Sequence, residues 1–232
     1  MPKISKRLLA IAGMVIRGEP TADIGADHAL LSIYLVKNNI VPRVIIGELA
    51  DGPYRRAAAA VQESSCGDKI EIRKGNGLDV LKPGEVVNII IAGMGGETIV
   101  DILSHDWQKS ASYCRYVFQP MSRPDALRRE LSLRGWPILD ECLVEENKKH
   151  FVIISSCPGN LPYKLSPLEM ELGPVLLQKG NLKKDYLLSY LKKYRAINDG
   201  FMQSLSVQKQ ELIEDYDKRI RELEAMLRET EG

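Results

Sequence analysis

The sequence predicts an α/β fold: a doubly wound, mostly parallel sheet carrying a helical appendage. Three observations predict it. Short apolar runs alternate with amphipathic stretches from Thr21 to Arg134, the pattern of strands crossed over by helices. Two extended runs then flank a polar turn, Glu145-Glu-Asn-Lys-Lys149, which reads as an antiparallel hairpin ending the sheet. Beyond Ser166 no strand signal remains. The chain therefore divides into residues 1–160 and residues 161–232.

Each element has its own signal. Ile4 to Ile16 has apolar residues at helical spacing and is ended by Gly18-Glu-Pro20. Strand 21–25 leads to helix 28–38, broken at Asn38-Asn39, and strand 43–48 leads to helix 52–64, with Pro53 in its first turn. Strand 69–74 passes through Gly75-Asn-Gly77 to strand 87–92, helix 96–104 and strand 115–119. Ser122-Arg-Pro-Asp125 starts a helix, with Ser122 as N-cap and Asp125 near its positive end, and Arg134-Gly135 stops it. The hairpin uses Pro137 to Val144 and His150 to Cys157. Leu168 to Gln178 is helical despite Gly173-Pro174. Asn181 caps a helix through Tyr194, the chain reverses near Asn198-Asp-Gly200, and Ser204 or Ser206 caps the last helix. Leu212, Ile213, Tyr216, Ile220, Leu223 and Leu227 give that helix an apolar stripe. An antiparallel helical hairpin with a coiled-coil seam is expected.

Composition bounds the function. The chain is 44% hydrophobic and 27% charged, as ordinary globular proteins are. Its apolar runs are too short to cross a bilayer and its polar, basic start is no signal peptide, so a cytoplasmic protein is expected. A net charge of +1 requires any nucleic-acid partner to use local basic patches. Cys66, Cys114, Cys142 and Cys157 form no C-x-x-C pair, and His28, His105 and His150 have no ligand spacing. Neither a structural metal nor a disulfide framework is expected, and the cysteines read as buried thiols.

In a doubly wound sheet the ligand crevice lies outside the C-terminal strand ends, where strand order reverses. The first strand end supplies Gly25, Ala26, Asp27 and His28; the second supplies Glu48. Small residues permit close backbone approach, and a carboxylate on the next strand tip suits ribose hydroxyls. The third supplies Asn76, Gly77 and Leu78, suited to an adenine ring. The fourth, Ala92-Gly-Met-Gly-Gly-Glu97, offers an open floor at Gly93 and Gly95 from which Met94 projects. A phosphate-binding turn would not welcome Asp27, and the three-glycine dinucleotide fingerprint is missing, so NAD is disfavoured. No P-loop motif occurs. The carboxylate of Asp27 suits instead the sulfonium and ammonium of S-adenosylmethionine, although capping of the next helix is an alternative role. Parallel strands ending in an antiparallel hairpin are the arrangement of class I methyltransferases.

These segments together resemble the TrmK family of bacterial tRNA (adenine-22, N1) methyltransferases. The resemblance runs through Ile4-Ser-Lys-Arg-Leu8, Ala22-Asp-Ile-Gly-Ala-Asp-His28, Gly47-Glu48, Gly52-Pro53, Gly75-Asn-Gly-Leu78, Ile91-Ala-Gly-Met-Gly-Gly96 and Gln119-Pro120. It implies a class I fold, S-adenosylmethionine as donor and tRNA as acceptor. The implied donor residues are Gly25, Asp27, His28, Glu48, Asn76, Gly77, Leu78, Gly93, Met94 and Gly95. Asn76 stands where the family usually has Asp, which implies weaker or altered adenine binding. Arg7 is a candidate for the donor carboxylate, with an exposed helix position as its alternative. Adenine N1 has a free lone pair, so alignment and base extrusion dominate the mechanism. Asp27 is the candidate catalytic group, stabilising the charge left on the ring.

Contacts to tRNA phosphates would come from local clusters: Lys3, Lys6, Arg7 and Arg17; Arg55-Arg56; Arg123 with Arg128-Arg129; and Lys183-Lys184 with Lys192-Lys193 and Arg195. Two rival functions follow from the same residues. One keeps the donor but methylates a small molecule or protein, the tail serving dimerisation. The other is a non-catalytic adaptor.

Overall fold

The computed structural model describes residues 4–180, 182–202 and 207–229. Its sheet has seven strands. β1 (Thr21–Ile24) and β2 (Val44–Glu48) are buried at every position, as parallel strands between two helical layers must be. With β3 (Ile70–Lys74), β4 (Asn88–Gly95), β5 (Arg115–Ser122), β6 (Ile138–Glu146) and β7 (Lys149–Ser156), they form the order β3-β2-β1-β4-β5-β7-β6. The first five are parallel and β7 is antiparallel to both neighbours. Strand order reverses between β1 and β4, which fixes the ligand crevice at their C-terminal ends.

Alternation along the strands splits the core into two layers. Ile90, Val117 and Ile153 face α1 (Lys6–Met14), α2 (Leu30–Lys37) and α3 (Asp51–Glu63), packing with Ile11, Leu35 and Ala57. Ile89, Ile91 and Phe118 point the other way. They pack under α4 (Gly96–Ser104), α5 (Trp107–Ser110) and α6 (Pro124–Arg134), with Leu103 and Leu131. A 3-10 turn, Gly77–Val80, follows β3.

Three local expectations change. β4 runs on to Gly95 through bulges around Met94, because Gly93 takes a left-handed backbone (φ 78°) that lets the strand bend. Ser122 is not an N-cap: β5 still pairs there, Gly95 with Ser122, and Arg123 (φ 51°) precedes α6 instead. The hairpin turn narrows to Asn147-Lys148, both left-handed, the backbone that matches strand twist in a two-residue turn.

The tail packs on the second layer. α7 (Pro167–Leu172) opens on a capping box between Ser166 and Glu169, and α8 (Pro174–Lys179) follows across Gly173 (φ 109°). α9 (Lys184–Met202) and α10 (Val207–Glu229) run antiparallel, joined by Arg195–Glu224 at 2.6 Å and Asn198 Nδ2 to Asp217 Oδ1 at 2.7 Å. The predicted reversal at Asn198-Asp-Gly200 is corrected: α9 continues through it, and Asn198 is buried against α10. Asn181, Ser204 and Ser206 lie outside the described residues. Leu168, Leu172, Leu176, Leu191, Tyr194 and Leu223 belong to the same apolar cluster as Tyr116, Leu131 and Ile154. Among the described residues no helix is long and apolar enough to cross a membrane. All four cysteines are free thiols; Cys66 is buried, but Cys114 is exposed, against expectation.

Candidate active site

The turn after β1 coils tightly, with Gly25, Asp27 and Ala29 all left-handed (φ 76°, 47° and 54°). It is held from β2. Gly25 N–H donates to Gly47 O at 2.8 Å, and Asp27 N–H donates to Glu48 Oε1 at 2.5 Å. Glu48 is buried, and burial pushes its carboxyl above the ordinary value, against the pull of that hydrogen bond. The Asp27 carboxylate does not cap α2: Ala29 occupies the cap position without a side-chain bond. Both Nε and Nη2 of Arg56 on α3 reach Asp27 Oδ1, at 2.7 and 2.6 Å. His28 Nε2 lies 3.5 Å from its other oxygen.

A crevice of about 290 Å³ lies over this turn, lined by Arg7, Asp23, Gly25, Asp27, His28 and Gly93 among others. Asp23 forms its acidic wall. It is buried, its carboxylate accepts from Ser32 Oγ at 2.7 Å, and desolvation pushes it up to about 6. Arg7 reaches in from α1. Its Nη1 donates to Gln119 Oε1 in the C-terminal half of β5, and its guanidinium lies 5.4 Å from the Phe151 ring centroid. The exposed-helix alternative for Arg7 is thereby set aside.

Asn76, Gly77 and Leu78 line a second cavity, of about 300 Å³, with Thr98, Ile102 and His105. Between the two cavities the glycines pack closely against their neighbours. A side chain at Gly25 would strike the Met94 thioether methyl, and one at Gly47 would meet Val80 at 2.8 Å and Gly77 O at 3.6 Å. Met94 therefore folds back over Gly25. Glu48, Met94 and Gly95 line neither cavity: Glu48 is buried beneath the turn, Met94 lies against Gly25, and Gly95 faces Ser122 and Thr98 at the start of α4.

Sequence reasoning missed Asp23, Ser32 and Arg56 as parts of this site. The signal for Asp23 was an acid inside a strand with an otherwise apolar setting; nothing in the spacing pairs Arg56 with Asp27. The proposed basic clusters also change. Arg128 is fully buried against Glu141 and no part of a surface patch. Lys183, Lys193 and Arg195 pair with Glu145, Glu171 and Glu224. Lys6, Arg17, Arg55, Arg129 and Lys192 are exposed, and Lys3 lies outside the described residues.

Residues 4–154 match the family model described as a methyltransferase domain. The tRNA (adenine(22)-N(1))-methyltransferase of Bacillus subtilis strain 168 is 34% identical over 192 residues, 83% of this chain and 80% of that protein. The chain belongs to the TrmK family of methyltransferases. The crystal structure of B. subtilis TrmK, an M1A22 tRNA methyltransferase, superposes with a TM-score of 0.85 at 29% identity, covering 98% of this chain and all of that one (100%). A Streptococcus pneumoniae protein solved in complex with S-adenosyl-L-methionine gives 0.79 at 31% identity, over 97% and 100%. The expected class I sheet with its terminal hairpin and helical tail is thus the fold of a TrmK protein.

Proposed function

We propose that this chain transfers the methyl group of S-adenosylmethionine to N1 of adenine 22 in tRNA, in the cytoplasm. The observation that carries the reading is the crevice at the switch point: an acid-walled, glycine-floored turn with one arginine reaching in. That donor set fits an amino-acid headgroup. Asp23 and Asp27 suit an ammonium, and Arg7 suits a carboxylate. Glu48 would take ribose hydroxyls; Asn76, Gly77 and Leu78 would frame the adenine. The left-handed, side-chain-free Gly25 allows the approach, and Met94 must swing off it.

When bound, S-adenosylmethionine supplies an electrophilic methyl group and leaves as a thioether. The protein's work is to align N1 with that methyl and exclude water. No base is required at the nucleophile, because the N1 lone pair is free. The product ring is cationic, and we assign its stabilisation to the half-exposed Asp27 carboxylate, whose Oδ1 is held by Arg56. Residues 1–160 carry the chemistry and residues 161–232 help hold the RNA. Exposed ion pairs such as Lys183–Glu145 are screened by water and salt, so phosphates can displace the acid partner at little cost.

The test is methyl transfer to unmodified tRNA followed by nucleoside analysis. We expect 1-methyladenosine with adenine at position 22 and none with guanine there. Methylation elsewhere, or of the small-molecule fraction alone, would refute the acceptor assignment.

A further inference from the structure

Gln119 is completely buried, yet it is polar and sits in the C-terminal half of β5, paired in register with Ala92 of the crevice lining. Its amide orientation is fixed by its neighbours. Nε2 donates to Pro120 O at 3.0 Å and to Met121 Sδ at 3.5 Å. Oε1 is left facing Arg7 and accepts from its Nη1. Flipping the amide would set an N–H against the guanidinium, so the acceptor is locked toward Arg7.

Arg7 is in turn held on two sides, by this amide and by the Phe151 ring. A guanidinium has five N–H donors, and among the described residues its side chain has no acceptor but Gln119. Its remaining donors are free for a ligand. Among the described residues Arg7 is also the only arginine or lysine lining this crevice, whose acidic walls are Asp23 and Asp27. A planar, pre-oriented fork among carboxylates is suited to bidentate pairing with a carboxylate ligand.

We propose that Gln119 is a positioning residue that presents Arg7 to the donor's amino-acid carboxylate and so sets specificity for the carboxylated donor. This rests on the reading of the crevice as the donor site. Gln119 itself touches neither donor nor acceptor; it acts through Arg7.

The experiment compares dissociation constants for S-adenosylmethionine and its decarboxylated form, by calorimetry on the full chain. The wild type is expected to prefer the carboxylated donor by about tenfold or more, the loss typical of a charged hydrogen-bond partner. Arg7→Met and Gln119→Met should each remove most of that preference, with little change for the decarboxylated donor. The double variant should be no worse than Arg7→Met alone. Gln119→Glu keeps an acceptor for Arg7 but neutralises it, so it should also lose the preference; it carries the test if the Met variant fails to fold. A Gln119 variant that weakens both donors equally, or neither, overturns the proposal. If Arg7→Met loses the preference while both Gln119 variants keep it, the crevice reading survives and only the role of Gln119 falls. If Arg7→Met keeps it, Arg7 does not meet the carboxylate and both fall.

Discussion

Asp23 is a carboxyl group set into a fully buried strand, with one hydroxyl, Ser32 Oγ, to answer it. Burial raises its value from 3.8 to about 6. The unfolded chain therefore releases this proton near pH 3.8 and the folded chain near pH 6. Between those limits the folded state binds more protons, so stability falls as pH rises through the window and is flat above it. The loss integrates to roughly 3 kcal/mol. Asp23→Asn has no such proton. Denaturant unfolding of both proteins between pH 4 and pH 7 should show the stability of wild type falling relative to the variant by about that amount. A pH-independent difference would mean that Asp23 titrates normally. Beside it, Glu48 is raised by the same desolvation, while its hydrogen bond from Asp27 N–H opposes the shift. Glu48→Ala removes both the clamp on the turn and the expected ribose partner. Donor binding should weaken by about 1–3 kcal/mol, read by calorimetry; an unchanged constant would place Glu48 outside the donor site.

At the scale of elements, the join between sheet and tail is the instructive case. Arg128 on α6 and Glu141 on β6 form an ion pair with no exposure at all, Nε to Oε1 at 2.7 Å. Arg128 Nη1 donates to the carbonyls of Met170 and Glu171, at the end of α7. Glu141 Oε2 accepts from Val175 and Leu176 N–H, at the start of α8. The cation thus meets carbonyls at a helix C-terminus and the anion meets amides at a helix N-terminus, the signs that helix dipoles favour. A side chain at Gly173 would collide with both partners, which explains the glycine between the two helices. Arg128→Met alone strands a buried carboxylate and should cost about 3–5 kcal/mol. Replacing both with apolar residues is often harmless elsewhere. Here the double variant Arg128→Met, Glu141→Leu should stay destabilised by about 1–3 kcal/mol, because it orphans helix-end groups as well. Urea unfolding of the single and double variants decides; full recovery in the double would show that the helix ends find other partners. None of this was legible in the sequence. Arg128 and Arg129 look alike as neighbours, and only the packing of α6 turns one inward and one outward. The strand tips were legible for the opposite reason: Gly25 directly follows β1, Glu48 ends β2, Asn76 stands two residues beyond β3 and Gly93 lies near the end of β4, so topology alone gathers them. Ser122 misled because its local pattern is a good cap, and the longer pairing of β5 overrode it.

For the whole molecule, the two-part division of the sequence meets a single apolar cluster reaching from Ala22 to Leu223. The tail's helices contribute to it unequally. α7 and α8 place Leu168, Leu172 and Leu176 in the cluster and seal the Arg128–Glu141 pair. α9 and α10 mainly close on one another, through Tyr194, Tyr216, Arg195–Glu224 and Asn198–Asp217, with His150 and Tyr186 as a link to the hairpin. A chain ending at Ser166 would expose those three leucines, at about 1.5–3 kcal/mol each, and open the ion pair to water. That sum approaches the entire stability of a typical domain, so this truncation should not fold. A chain ending at Gly180 keeps α7, α8 and the sealed pair. It should melt at a lower temperature yet bind S-adenosylmethionine within about threefold of the full chain, since every crevice residue and its supports lie before Ser156. Methylation of tRNA should fall far more, through a raised KM, because the basic residues of α9 are gone. Circular dichroism, donor calorimetry and tRNA kinetics on the two truncations separate these outcomes. Equal loss of donor and tRNA binding in the Gly180 chain would make α9 and α10 part of the catalytic fold rather than an RNA-holding arm.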